Sequence, residues 1–411
     1  MSTATTAIVQ DAVELLPEIT RLRHALHREP ETGLQLPRTQ ERVLQWLEPL
    51  GYELSLGTDL TSVTAVLRGG ASTAPVGERP TVLLRGDMDG LPLQEKSGVE
   101  FASQTGDTMH ACGHDLHTAM LAGAATLLAE RRDSLTGDVV LMFQPGEEGW
   151  DGARHMVREG VLEASGKKVD AAFGLHVMSS MGSTGVFTSK DGAVMSASDG
   201  LFVTVRGAGG HGSAPFAAKD PVTAAAEMVT ALQVMVTRQF DVFDPVVISV
   251  GVLRAGTARN IIPDTAYFEA TIRSFSHANH DKLQLVVPAL LQGIAQAHGL
   301  EVEVGYRTEY PTTINAVAET QFAADAVREL FGTDSFTTMA SPLAGSEDFS
   351  RVLQEVPGAF IFLSALTPGV DGPSAAYNHS PYARFDDSVL GRGTALYTQL
   401  ATTKLASLAT R

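Results

Sequence analysis

Three short apolar runs constrain this chain more than any other feature. Residues 81–84, 139–143 and 169–177 are dominated by β-branched and aliphatic side chains, and stretches of helical rhythm separate them. Apolar character that is continuous rather than alternating marks a strand buried on both faces. Strands of that kind belong to a largely parallel sheet flanked by helices, so the expected fold class is α/β. Polar residues follow each run directly: Asp87 and Asp89 after the first, Glu147 and Glu148 after the second, His176 at the end of the third. The carboxyl ends of parallel strands are where open α/β sheets bind ligands, and the three runs point at one such edge. Asp87 and Asp89 read equally as metal ligands, as partners that orient a ligating histidine, or as a turn rich in Asp and Gly.

Between the first two runs, residues 109–117 gather His110, Cys112, His114, Asp115 and His117, and Cys112 is the only cysteine of 411 residues. A thiolate and an imidazole two positions apart face one point if the segment is extended. Both are zinc-type donors. A further histidine, His379, lies in a loop between an apolar run at 359–364 and a final helix at 387–408. The five donors Cys112, His114, Glu148, His176 and His379 exceed what one tetrahedral zinc with an open position needs. Two divalent ions sharing a water is the simplest count, with zinc the first candidate and manganese, cobalt or nickel the alternatives. Adjacent glutamates at a strand end divide the labour, one binding metal and its neighbour acting as a general base. His24 and His27, near the end of a helix expected over 8–27, read as structural, since no acidic or thiolate partner lies close in sequence.

Other classes lack their marks. Neither Gly-x-Ser-x-Gly nor His-Glu-x-x-His occurs. With 47 acidic against 30 basic residues the net charge is −17, which argues against nucleic acid or an anionic membrane as partner. No apolar run approaches the ~18 residues of a membrane span, and the first residues do not read as a secretory signal. One cysteine cannot close an internal disulfide and suits a reducing compartment. The expected location is the cytoplasm.

From about residue 198 the pattern changes to strand (200–206), helix (221–238), two strands (246–253 and 265–274), helix (280–297) and strand (300–307). This β-α-β-β-α-β order is the split βαβ, ferredoxin-like unit. The expected organisation is a catalytic domain in two parts, 1–197 and 309–411, interrupted by an inserted domain over 198–308. Residues 207–212 satisfy Gly-x-Gly-x-x-Gly, with Glu227 twenty residues beyond Gly207. Pro215 and Pro221 stand where a phosphate-binding helix would begin, so a dinucleotide site is not expected there. The turn reads instead as one that places His211 in a cleft, as an oxyanion donor.

The residues that carry these readings, together with His27-Arg28-Glu29-Pro30-Glu31, Asn260-Ile261-Ile262-Pro263-Asp264 and Ser346-Glu347-Asp348-Phe349, resemble a known family: the dinuclear-metal amidohydrolases that include aminoacylase-like, hippurate hydrolase and indole-acetyl-amino acid hydrolase enzymes. The resemblance covers nearly the whole chain. It implies metal ligation by Cys112, His114, Glu148, His176 and His379, with Glu147 as the base that activates water and then protonates the leaving amine. It implies that the inserted domain is a lid and dimerisation domain, and hence a homodimer or higher homo-oligomer. It implies that His211 stabilises the tetrahedral intermediate, in its own or a partner's site, and that Asn260 and Arg273 lie near the substrate. The implied reaction is hydrolysis of the amide of an N-acyl amino acid, including aromatic-acyl ones; a dipeptidase or a ureido-amide hydrolase is the neighbouring alternative, and a non-catalytic metal-binding or redox protein the distant one. Two departures stand out. Phe216 occupies a position where relatives often carry histidine, and Leu116 stands where glycine is frequent, which is expected to narrow the pocket beside the metals.

Overall fold

The computed structural model describes residues 3–410. Two compact units emerge. The first comprises the chain up to Val194, Ile314–Ser341 and the chain from Arg351 onward; the second comprises Met195–Thr313 and Pro342–Ser350.

The first unit is built on an eight-stranded sheet in the order Glu53–Leu56, Val63–Leu67, Asp138–Gln144, Thr81–Asp87, Ala171–Met178, Gly358–Ser364, Phe187–Ser189, Phe336–Thr338. Its four central members run parallel and every residue in them is buried, which accounts for their unbroken apolar character. Helix His114–Glu130 is buried along most of its length and packs against both Thr3–Arg28 and Val389–Ala409. Leu116 is fully buried in this apolar core. It is thus a packing residue, and nothing shows it narrowing a pocket.

Chain order across the sheet locates the crevice. From Thr81–Asp87 the chain crosses through helix His114–Glu130 to Asp138–Gln144 on one side, then through helix Gly152–Arg158 to Ala171–Met178 on the other. Thr81–Asp87 and Ala171–Met178 therefore flank the point where the winding direction reverses, where ligands collect in open α/β sheets.

The second unit has the strand order Val246–Ala255, Thr265–Ser274, Ala197–Arg206, Glu301–Tyr310, all antiparallel, with helices Pro221–Gln239 and His277–Ala297 completing the β-α-β-β-α-β sequence. Alternating burial along these strands leaves one face for the two helices. The helix starts are fixed by side chains: Asp220 accepts from the Val222 amide at 2.8 Å and Ser276 from the Asn279 amide at 3.1 Å.

Candidate metal centre

The site begins where a ladder stops. Pairing between Thr81–Asp87 and Ala171–Met178 ends at Arg85 opposite Gly174. Beyond it, helix side chains replace backbone bonds. The Tyr397 hydroxyl accepts from the Leu175 amide at 2.9 Å and donates to the Arg85 carbonyl. One step further, His117 Nε2 accepts from the Val177 amide at 2.7 Å while Nδ1 meets Asp87 Oδ1 at 2.5 Å. An acceptor at Nε2 and a donor at Nδ1 define one neutral tautomer with both nitrogens engaged, so His117 is a strut between strand ends. Asp87 also receives Arg85 at 2.6 Å. Burial opposes its charge, but Arg85, His114 and His117 together hold its carboxyl well below the usual range.

Asp89 has a different task. Its two oxygens accept the backbone N–H groups of Glu147 and Glu148, each at 3.0 Å. The turn that carries the two glutamates is closed by Gly149 N–H to Glu147 O at 2.8 Å and Gly152 N–H to Gly146 O at 3.0 Å. A Cβ on Gly152 would lie 1.8 Å from the Pro145 carbonyl oxygen, so only glycine permits this closure. Asp151, one of two non-glycine residues with positive φ among the described residues, is held by Arg351 at 3.1 and 2.8 Å.

Cys112 and His114 converge, though not through an extended segment. Gly113 takes φ 90° and a helix begins at His114, so a left-handed glycine turns the imidazole back toward the thiol. A Cβ at Gly113 would come within 2.4 Å of Val177 Cγ2. Around the sulfur, His176 Nε2 stands at 3.3 Å and His379 Nε2 at 3.2 Å, and Glu148 Oε1 lies 3.1 Å from that same His379 nitrogen. Donor atoms of Cys112, His114 and His176 all lie within 4.8 Å of one another; the same holds for Cys112, Glu148 and His379, and for His114, Glu147 and Glu148. All five predicted ligands are thus brought together, in overlapping triads.

The donor chemistry fits divalent cations. His114 is wholly buried and neither ring nitrogen makes a well-formed hydrogen bond, Nε2 standing 3.4 Å from Asp87 Oδ2 and Nδ1 3.4 Å from Asp89 Oδ1, while Glu148 Oε1 faces His379 Nε2 at 3.1 Å. An imidazole without well-formed hydrogen bonds beside a thiol and carboxylates is a set of donors that a cation would satisfy. His176 Nδ1 donates to the Val177 carbonyl at 2.9 Å, which leaves its Nε2 lone pair aimed at the cluster. His379 is raised to about 10 by its contacts with Cys112 and Glu148.

Behind the cluster, His27 and Asp115 find partners that lie far apart in sequence. Asp115 Oδ2 accepts from Arg23 Nε at 2.7 Å and from His27 Nδ1 at 2.8 Å, and His27 Nε2 reaches Glu95 at 3.1 Å. His27 is structural, as expected, but through acidic partners the sequence did not reveal. His110 belongs to none of the metal-capable groups; burial pushes it down to about 4 and keeps it neutral. Glu95 sits at about 2: burial works to raise it, and hydrogen bonds from His27, Ser103 and Ser97 overcome that. A carboxyl depressed in the folded state stabilises the fold above its ordinary value of 4.5 and loses that contribution as pH falls toward 2. The melting temperature is expected to drop across this window, and Glu95→Gln to flatten part of the drop. An unchanged slope in the variant contradicts the assignment.

In the second unit, exposed His211 and Asn260 are neighbours: His211 pairs with Ile261, and Gly212 N–H donates to Asn260 O at 2.8 Å. Arg273 is elsewhere. It lies toward the far end of the strand that starts at Thr265, roughly 26 Å along at the usual rise per residue, and donates to Ser198 Oγ at 2.6 Å. Asn260 and Arg273 therefore stand far apart along this unit's sheet. Phe216 is 92% exposed. The glycine-rich 207–212 turn leads to a two-residue strand and a short 3-10 turn, not a helix, and Glu227 pairs with His298 at 2.7 Å, so the dinucleotide pattern lacks its structural context.

Residues 83–403 match peptidase family M20/M25/M40. The chain belongs to this family. Among M20 relatives, it is 36% identical over 394 residues to a hippurate hydrolase of Campylobacter jejuni, covering 96% of this chain and 98% of that one. It is 36% identical over 396 residues to thermostable carboxypeptidase 2 of Saccharolobus solfataricus, covering 95% and 96%. Among solved M20 structures, the Bacillus subtilis YXEP protein, described as a dinuclear metal binding peptidase, superposes with a TM-score of 0.81 at 29% identity over 96% of this chain and 99% of that one. The family assignment agrees with the α/β fold and with a metal-capable centre. Among the described residues, no helix is long and apolar enough to cross a membrane.

Proposed function

We propose that this chain hydrolyses the amide bond of N-acyl amino acids, releasing a carboxylic acid and a free amino acid, with two divalent cations held by Cys112, His114, Glu148, His176 and His379. The observation that carries the proposal is the overlap of donor triads around Cys112, with Glu147 on the same turn, at the crevice of the sheet. When bound, such cations polarise the scissile carbonyl and lower the pKa of water. Zinc is the first candidate, with manganese, cobalt or nickel as alternatives.

The chain's own residues do the rest. Glu148 faces His379 and shares a donor group with Cys112, which suits it to the cations; Glu147, 7% exposed and grouped with His114 and Glu148, has the role the family resemblance implies, taking the proton of the attacking water and handing it to the amide nitrogen as the C–N bond breaks. His211 stabilises the developing oxyanion. The resemblance to the family supports a homo-oligomer in which the inserted unit acts as lid and pairing surface. A thiol donor suits a reducing compartment, and we place the enzyme in the cytoplasm.

The test is a panel of N-acetyl and N-benzoyl amino acids, dipeptides with free α-amines and ureido acids, each with protein reconstituted in turn with zinc, manganese, cobalt or nickel. Acyl amino acids are expected to have the highest kcat/KM. A preference for dipeptides or ureido acids moves the chain to the neighbouring reading. Two bound metals with no amide turnover on any substrate overturns the enzymatic one.

A further inference from the structure

We propose that Asn378 is the positioning residue that sets the spacing of Cys112, His176 and His379, an inference that rests on the metal centre proposed above. Its side chain is buried, at 8% exposure, and all of its amide capacity is used. Oδ1 accepts from the Ser179 amide at 2.9 Å, and Ser179 Oγ shares its one hydrogen between Oδ1 at 3.0 Å and the Ala376 carbonyl at 2.8 Å. Nδ2 donates to the Cys112 carbonyl at 3.0 Å and to the Val177 carbonyl at 3.0 Å. Two carbonyls on one side and a backbone N–H on the other leave a single orientation for the amide.

These four bonds tie together three segments distant in sequence, and each segment carries a ligand. Cys112 is one ligand. His176 precedes Val177 and donates to the very carbonyl that Asn378 also engages. His379 follows Asn378, with φ 70° and its N–H on Ala111 O at 2.9 Å. Asn378 therefore does for three donors what Asp89 does for the two glutamates. Only an amide of this length supplies two donors and an acceptor there. Aspartate keeps the shape but removes both donors and sets a charge against two carbonyl oxygens; serine is too short to span them.

The test uses metal-free full-length protein and Co(II), whose thiolate-to-metal absorption reports the geometry at Cys112. Asn378→Asp is expected to weaken Co(II) affinity by ~10–100-fold in a chelator competition, the range typical of residues that orient metal ligands, and to shift or abolish the thiolate band. An Asn378→Asp protein with a lower melting temperature but unaltered affinity and band overturns the proposal, since a loop-closing residue would do just that. If this variant does not fold, Ser179→Ala carries the test: losing the hydroxyl that bridges Oδ1 and the Ala376 carbonyl is expected to weaken Co(II) by roughly 2–10-fold, and a folded Ser179→Ala protein with wild-type affinity overturns the proposal. Failure of the wild-type protein to bind Co(II) would instead defeat the metal centre itself, and with it this inference.

Discussion

Glutamine at position 147 is expected to leave metal content intact while kcat on acyl amino acids falls by ~10²–10⁴, the usual contribution of a positioned general acid–base group. The expectation rests on how neighbouring side chains are committed. Both backbone amides of the Glu147–Glu148 turn are fixed by Asp89, so the two carboxylates cannot exchange places. Glu148 lies 3.1 Å from His379 and shares a donor group with Cys112, whereas Glu147 does not belong to that group. Glutamine preserves length and planarity and cannot accept a proton. Glu148→Gln provides the contrast, because it should lose metal and activity together. Single-turnover kinetics alongside elemental analysis separates the two variants; wild-type turnover from metal-loaded Glu147→Gln protein removes the base assignment.

Cys112→Ser is expected to reduce bound metal from two ions per chain to at most one, and turnover by more than the ~10²-fold that loss of an orienting partner can cost. The sulfur is the atom on which His176 and His379 both converge, at 3.3 and 3.2 Å. Its donor set overlaps that of His114 and that of Glu148, so its removal affects both ends of the cluster. Serine is close to isosteric, and its hydroxyl stays protonated near neutral pH where a thiol beside cations does not. Cys112 is 6% exposed and serine is close to it in volume, so the apo protein should melt near the wild-type temperature. A Cys112→Ser protein that holds two ions and hydrolyses at the wild-type rate rules out the thiolate as a ligand.

What the sequence reveals here follows physical range. Strands buried on both faces announce themselves because every position must be apolar, so Thr81–Asp87, Asp138–Gln144 and Ala171–Met178 are legible to within a few residues. The ferredoxin-like element order is legible for a related reason, since alternation and helical rhythm persist over ten residues or more. The edges are not: Glu53–Leu56 is exposed throughout, and Phe187–Ser189 and Phe336–Thr338 have three residues each, too few to show a period. At the site, residue types point to the donors, but their arrangement depends on torsions and distant partners. The extended reading of residues 112–114 fails because one glycine adopts a positive φ. His27 meets Asp115 across 88 positions, and Asn378 meets Cys112 across 266. No local pattern encodes such a bond.

The Tyr397 bridge has a consequence for biosynthesis. A chain emerging from the ribosome acquires Cys112, Glu148 and His176 early, yet Asn378, His379 and the tyrosine that joins Arg85 to Leu175 arrive much later. Early sub-structures fold as they are made, but here they present a thiol and imidazoles without the residues that close them. Metal loading at the centre proposed above is therefore expected to follow synthesis of the segment that carries Asn378, His379 and Tyr397.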